Sequence, residues 1–172
     1  MLANLINKVS TILYVQIWDN RLKITNMKTG NIYDDKPLIA IENEKIIAIG
    51  KNASSYPNAI NPFAHTRVVF DNYKMAELIM RHAFEEATQR KIIFSPIAIV
   101  HVMKNLNTHL TDIEKIALCE LSANAGARES IIYDGKELNM HDFNYDEIKS
   151  KSYIVTSEKP NYLPKIGTLE AI

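Results

Sequence analysis

The chain has 172 residues, 47% of them hydrophobic and 23% charged, which is enough to bury a core in one domain or in one domain with an appendage. Twenty basic residues cancel twenty acidic ones, so no Lys/Arg excess is present to hold a polyanion, and this argues against nucleic acid as a main partner. The lone cysteine, Cys119, rules out an internal disulfide framework and fits a reducing compartment, and no apolar run approaches the roughly 20 residues that span a bilayer. The start, Met1 to Lys8, has no basic leader and no small-residue cleavage site, so the expected location is the cytoplasm.

In chain order, Leu2, Leu5, Ile6 and Val9 recur on one helical face, with Asn4, Asn7, Lys8 and Thr11 elsewhere. A segment of this kind over residues 1–11 packs on its own domain or a neighbour, or lies on a membrane surface. Ile12 to Trp18 reads as a buried strand and Arg21 to Met27 as its alternating partner, with Asp19-Asn20 as a two-residue turn in which both side chains tolerate positive φ. Gly30-Asn31 marks another turn. Ile32-Tyr33, Leu38 to Glu42 and Lys45 to Ile49 are expected as further strands, the last two joined at Asn43-Glu44. Ser54 to Pro62 holds Pro57 and Pro62 and reads as loop.

From Arg67 to Tyr133 the pattern becomes strand, helix, strand, helix, strand. Val68-Val69-Phe70 is the first short apolar run, and Asp71-Asn72 stands where an N-cap belongs ahead of a helix from Tyr73 to about Arg90. Ile92-Ile93-Phe94 is the second run, ended by Pro96. A helix follows from about Thr111 to Asn124, with Ile113, Ile116, Ala117, Cys119 and Leu121 on or near one face, closed by Gly126, and Ser130 to Tyr133 is the third run. Short apolar strands alternating with helices predict an α/β fold in which a meander and a parallel half share a mixed sheet. Beyond Tyr133, Asp134-Gly135 signals a turn, Tyr145 to Lys149 a short helix and Tyr153-Ile154-Val155 a strand. Pro160 and Pro164 interrupt any regular element after that strand. Residues 134–172 thus read as a distinct C-terminal tail after a first unit over 1–133.

Three meander strands followed by strand-helix-strand-helix is similar in order to the first lobe of the actin and sugar-kinase class of ATPases, a ribonuclease H-like fold. Particular segments go further. Asp35 to Ile41, Ile47 to Ala53, Ile60-Asn61-Pro62-Phe63, Val68-Val69-Phe70-Asp71, Ile113 to Ala117 and Ala125-Gly126-Ala127-Arg128-Glu129 resemble, in order and spacing, successive segments of MreB, the bacterial actin homologue and rod shape-determining family. The resemblance covers about residues 1–133. It implies a relation to the cytoskeleton and cell shape, and residues 1–11 resemble the membrane-targeting helix of some members.

The same resemblance shows where this chain departs. The family's first hairpin carries a Gly/Thr-rich loop opened by an Asp, because backbone N–H groups must approach phosphates closely and a carboxylate must hold the cation. Here that stretch reads Gln16-Ile17-Trp18-Asp19-Asn20-Arg21, with no glycine and with Gln16 at the Asp position. Asp19 is a turn residue or, far less in keeping with its place, a displaced metal ligand. The paired glutamates and proline after the third strand are replaced by Asp134-Gly135-Lys136, and Glu137 stands too far along to substitute without a rearranged loop. The family's second lobe has no counterpart here. The implied protein is a non-catalytic lobe with no catalytic, cofactor-binding or metal residues, no cofactor, and protein partners or self-association as a homo-oligomer. Apolar surface left by the missing lobe would be covered by a partner or by the residues after Tyr133. The alternatives are a nucleotide site completed by another subunit, and a peripheral membrane anchor using Leu2, Leu5, Ile6 and Val9. The five histidines are scattered without zinc-ligand spacing, and Cys119 reads as a core residue.

Overall fold

In the computed structural model, residues 11–89, 95–106 and 109–156 are described. The expected helix bearing Leu2, Leu5, Ile6 and Val9, the expected strand Ile92-Ile93-Phe94 and the chain beyond Thr156 lie outside these residues.

The meander begins with β1 (Ile12–Ile17) and β2 (Leu22–Asn26), paired antiparallel from Leu13↔Asn26 to Ile17↔Leu22. The turn falls at Asp19-Asn20 and is closed by the Trp18 N–H donating to the Arg21 carbonyl at 2.9 Å. Neither turn residue takes positive φ, contrary to the sequence reading; Asn61 Nδ2 instead reaches the Asp19 carbonyl at 2.8 Å and Asn20 Oδ1 at 3.2 Å. Gly30, at φ +76, turns the chain into β3 (Ile32–Asp35). β4 (Ile39–Glu42) and β5 (Lys45–Ile49) meet across Asn43 and Glu44 at φ 49 and 63, the left-handed pair that a tight hairpin uses. They form a two-stranded sheet of their own rather than extending the main one. A 3-10 turn, Gly50–Ser55, comes next. Gly50 sits at φ +74 beside the Asp35 carboxylate, whose Oδ1 accepts the Lys51 N–H at 2.8 Å and the Lys36 N–H at 2.7 Å. The chain thus needs a residue without Cβ there, and Asp35 takes the turn's second amide while the Gly50 N–H donates to the Leu38 carbonyl at 2.9 Å.

Val68-Val69-Phe70 is not a strand; this stretch belongs to an irregular loop ahead of α1 (Tyr73–Thr88). α1 starts as expected: the Asn72 side chain accepts the Met75 N–H, and Gln89 ends it in the left-handed region at φ 53. Ile79, Met80, Ala83 and Phe84 form its buried stripe. Pro96 stands directly ahead of a strand. β6 (Ile97–Val102) starts directly after it, and a proline just ahead of a strand's first residue removes no ladder donor. α2 (Asp112–Asn124) is capped by Thr111, whose hydroxyl accepts the Glu114 N–H while Glu114 reaches back to the Thr111 N–H. Gly126 at φ +116 stops it and leads to β7 (Glu129–Tyr133). α3 (Tyr145–Lys151) and β8 (Tyr153–Thr156) complete the described chain.

The main sheet runs β3-β2-β1-β6-β7-β8. β1, β6 and β7 are parallel, and β2, β3 and β8 antiparallel to their neighbours, so the sheet is mixed. Alternate residues of β1 serve two faces. Leu13, Val15 and Ile17 pack with Ala98, Val100, Ile132 and the stripes of α1 and α2, while Tyr14 packs with Ile97, Ile99, Ile131 and Ile148. Leu138, Phe143 and Tyr145 also lie on this second face, so residues after Tyr133 cover it and β8 extends the same sheet. On α2, Leu118, Leu121, Ser122 and Ala125 face inward; carried back by the helical period, that stripe meets Glu114 and Lys115. Ile113 and Ile116, expected near the core face, therefore project outward, 79% and 42% exposed.

Candidate functional site

The carboxyl ends of β1, β6 and β7 lie side by side, the position at which open α/β sheets hold ligands. β1 delivers Gln16 and the Trp18–Arg21 turn, β6 delivers His101 and then Lys104, and β7 delivers Tyr133 and the segment 134–140.

Gln16 is buried, 1% exposed, and its Nε2 donates to Glu137 Oε1 at 2.8 Å. Glu137, which the sequence set too far along to substitute for the family's paired glutamates without a rearranged loop, is here turned toward β1. Residues 134–138 turn back over the sheet, with Tyr133 Oη donating to the Lys136 carbonyl at 2.8 Å and the Leu138 N–H donating to Tyr14 Oη at 3.3 Å. Tyr14 Oη also lies 2.7 Å from His101 Nδ1, and the Tyr133 ring stands edge-on to the imidazole with centroids 5.2 Å apart. Burial pushes the Tyr14 phenol up to about 12. Burial likewise lowers His101, opposed by the charges of Glu137 and Asp134.

Lys104 is the second anchor. Its ammonium is buried, with side-chain exposure of 2%, and donates to the carbonyls of His65 at 2.7 Å, Val68 at 2.9 Å, Phe63 at 3.1 Å and Val69 at 3.5 Å. Asp19 Oδ1 lies 3.3 Å from the same nitrogen. One cation thus ties the end of β6 to the β1–β2 turn and to the loop before α1. This explains why Val68-Val69-Phe70 is no strand: the carbonyls of Val68 and Val69 bond an ammonium. The turn is held from outside as well. Arg21 forks onto Asp34 with bonds of 2.7 and 2.6 Å, and its guanidinium carbon lies 4.9 Å from the Trp18 ring centroid. That fork holds the Asp34 carboxyl below its ordinary range.

A cavity of about 190 Å³ beside this cluster is lined by His101, Lys104, His109, Tyr133 and Asp134. Two of the scattered histidines therefore share one pocket, which their spacing did not reveal. Among the described residues no group of three or more His, Cys, Asp or Glu side chains could hold a metal ion, and no helix is long and apolar enough to cross a membrane. Cys119 is buried in the α2 core stripe. Lys104 and the Gln16–Glu137 pair were not singled out as sites by the sequence; a lysine straight after an apolar strand was the only signal for the first, and the second pair spans 121 residues.

This arrangement, a mixed sheet with three antiparallel strands leading into parallel strands and crossover helices on one face, is that of a single lobe of the actin-like fold. No protein-family profile and no curated protein matches the chain. Solved structures do. The chain is similar to MreB5 of Spiroplasma citri bound to ADP, with a TM-score of 0.60 and 18% identity over 74% of this chain and 39% of that one. It is similar also to the same protein bound to AMPPNP, with a TM-score of 0.59 and 18% identity over 73% of this chain and 38% of that one. The chain thus spans about two fifths of the length of these neighbours, and the likeness is one of fold.

Proposed function

We propose that this chain is a non-catalytic relative of the first lobe of the MreB family, acting through protein contacts as a scaffold or modulator of a cytoskeletal or cell-shape assembly at the cytoplasmic side of the membrane. One observation carries the reading. At the end of β1, where the resemblance sets a phosphate loop, the chain's own groups are paired with each other: Gln16 with Glu137 at 2.8 Å and Asp19 with Lys104 at 3.3 Å. A neutral amide stands where a cation would need a carboxylate, Ile17 and Trp18 are bulky where close backbone approach to phosphate requires glycine, and the Trp18 N–H is spent inside the turn. These residues do not fit a Mg²⁺-nucleotide, and no catalytic step is assigned to them. Exposed Ile113 and Ile116 on α2 offer an apolar contact for a second copy or a filament protein.

Calorimetric titration with ATP and Mg²⁺, at a protein concentration above about 50 μM so that weak affinity registers, tests the reading. The expected result is no saturable heat. Saturable binding near one nucleotide per chain would overturn it, and a ratio near one per two chains would point instead to a nucleotide site shared between subunits.

A further inference from the structure

Residues 134–140 are more than a cover for the second sheet face, because their attachment runs through a titratable relay. The Leu138 N–H donates to Tyr14 Oη. With the imidazole neutral and its proton on Nε2, the Tyr14 hydroxyl in turn donates to His101 Nδ1, 2.7 Å away. In this tautomer His101 ends the relay as an acceptor. We propose that Tyr14 and His101 form a proton-sensitive latch that holds the 134–140 strap against the carboxyl ends of β1 and β6 at neutral pH and lets it open on mild acidification.

The argument is one of donors and acceptors. A protonated imidazole has no free lone pair, so Nδ1–H points at the Tyr14 oxygen and the phenolic hydrogen must turn away. Tyr14 Oη then accepts from both Nδ1 and Leu138, while its own hydrogen has lost its acceptor on His101, and a buried donor left without a partner is costly. His101 is itself only 8% exposed, so its charge is poorly solvated unless the strap moves. Asp134 and Glu137 on the strap favour the imidazolium, Lys104 and His109 line the small pocket beside it, and Tyr133 from β7 lies edge-on to the ring. Burial outweighs the two carboxylates in lowering the histidine, and opening the strap is the motion that relieves burial. A second fastening runs from Gln16 Nε2 to Glu137 Oε1 and does not pass through the histidine.

Hydrogen exchange on the full chain between pH 7.5 and 5.5, corrected for the intrinsic dependence of exchange on pH, tests the latch. Opening coupled to one proton speeds the Leu138 amide by at most about tenfold per pH unit. We expect acceleration of about threefold to thirtyfold over this range, with Val100 in β6 unchanged as the control for global unfolding. His101→Asn, which keeps a polar group and cannot charge, is expected to exchange at Leu138 at a rate independent of pH. Tyr14→Phe removes the relay and is expected to exchange fast at both ends of the range. Glu137→Gln, which cannot ionise, is expected to keep the pH dependence. A Leu138 rate that is flat or slows on acidification in the unaltered protein overturns the proposal, as does a pH response that survives in His101→Asn or disappears in Glu137→Gln.

Discussion

Replacing Lys104 with Met tests whether a single buried ammonium holds three parts of this fold together. Methionine keeps an unbranched chain of similar reach and removes the charge and the donors. Four carbonyls lose a partner. Those of His65 and Val68 belong to an exposed and a half-buried residue and regain water, whereas Phe63 and Val69 are buried, 0% and 1% exposed. Each buried acceptor left alone costs about 1–3 kcal/mol. Removing the ammonium also removes the cost of having desolvated it, which pulls the sum down, and Asp19 at 54% exposure recovers its hydration. The expected loss is about 2–4 kcal/mol, a large share of the roughly 5–15 kcal/mol that stabilises a typical domain. In thermal unfolding this is a drop of roughly 4 to 16 °C for a chain of this size. Guanidinium unfolding followed by circular dichroism should show a lower midpoint with an unchanged slope, and exchange should accelerate at 63–69 before it does at β1. Asp19→Asn, which touches only the exposed half of the pair, should cost less than about 1 kcal/mol. If Lys104→Met lies within about 0.5 kcal/mol of the unaltered protein, or if Asp19→Asn costs as much as Lys104→Met, the ammonium does not tie the three parts together.

Gly50→Ala places a Cβ against the Asp35 carboxylate at φ +74, and should cost at least about 1–2 kcal/mol in the same unfolding assay. Combined with Asp35→Ala, its cost should shrink, because the obstructed carboxylate is then gone. Ile113→Asp and Ile116→Asp alter exposed positions and should leave stability within about 0.5 kcal/mol while weakening self-association in sedimentation velocity. A monomeric unaltered protein, or an association the two changes do not touch, would remove α2 as the contact face.

The sequence disclosed whatever is decided within a turn or two. Asn72 caps α1, Thr111 and Glu114 cap α2, Asn43 and Glu44 take the left-handed conformations of a hairpin, and Gly126 stops α2, each through bonds between residues at most five apart. The fold class followed from these together with the alternation of apolar runs. The misreadings came where a distant group decides. Val68-Val69-Phe70 has a strand's composition, but the Val68 and Val69 carbonyls are claimed by an ammonium 36 and 35 residues away. Ile113 and Ile116 are apolar at helical spacing, yet the inward stripe is set by Leu118, Leu121 and Ala125 on β7, and the two stripes diverge toward the helix start. The site was least legible because its pairs join residues 16 to 137 and 19 to 104.

Covering the second face and filling the end of β1 are a single structural event. The segment that sets Leu138, Phe143 and Ile148 onto Tyr14, Ile97, Ile99 and Ile131 is the one that carries Glu137 to Gln16, only one residue before Leu138. Withdrawing Glu137 therefore means lifting the half-buried Leu138 from Tyr14, and with it part of the about 1.5–3 kcal/mol that a fully buried side chain of this size contributes. Introducing glycines into the Trp18–Arg21 turn would by this reasoning leave the position occupied, since neither the Glu137 carboxylate nor the Lys104 ammonium depends on that turn for its placement. Glu137 is held by the strap and Lys104 by four carbonyls of the loop before α1. On the proposed reading, a nucleotide would have to displace both, which places the barrier to regaining nucleotide binding in the core of the second face rather than in the loop sequence.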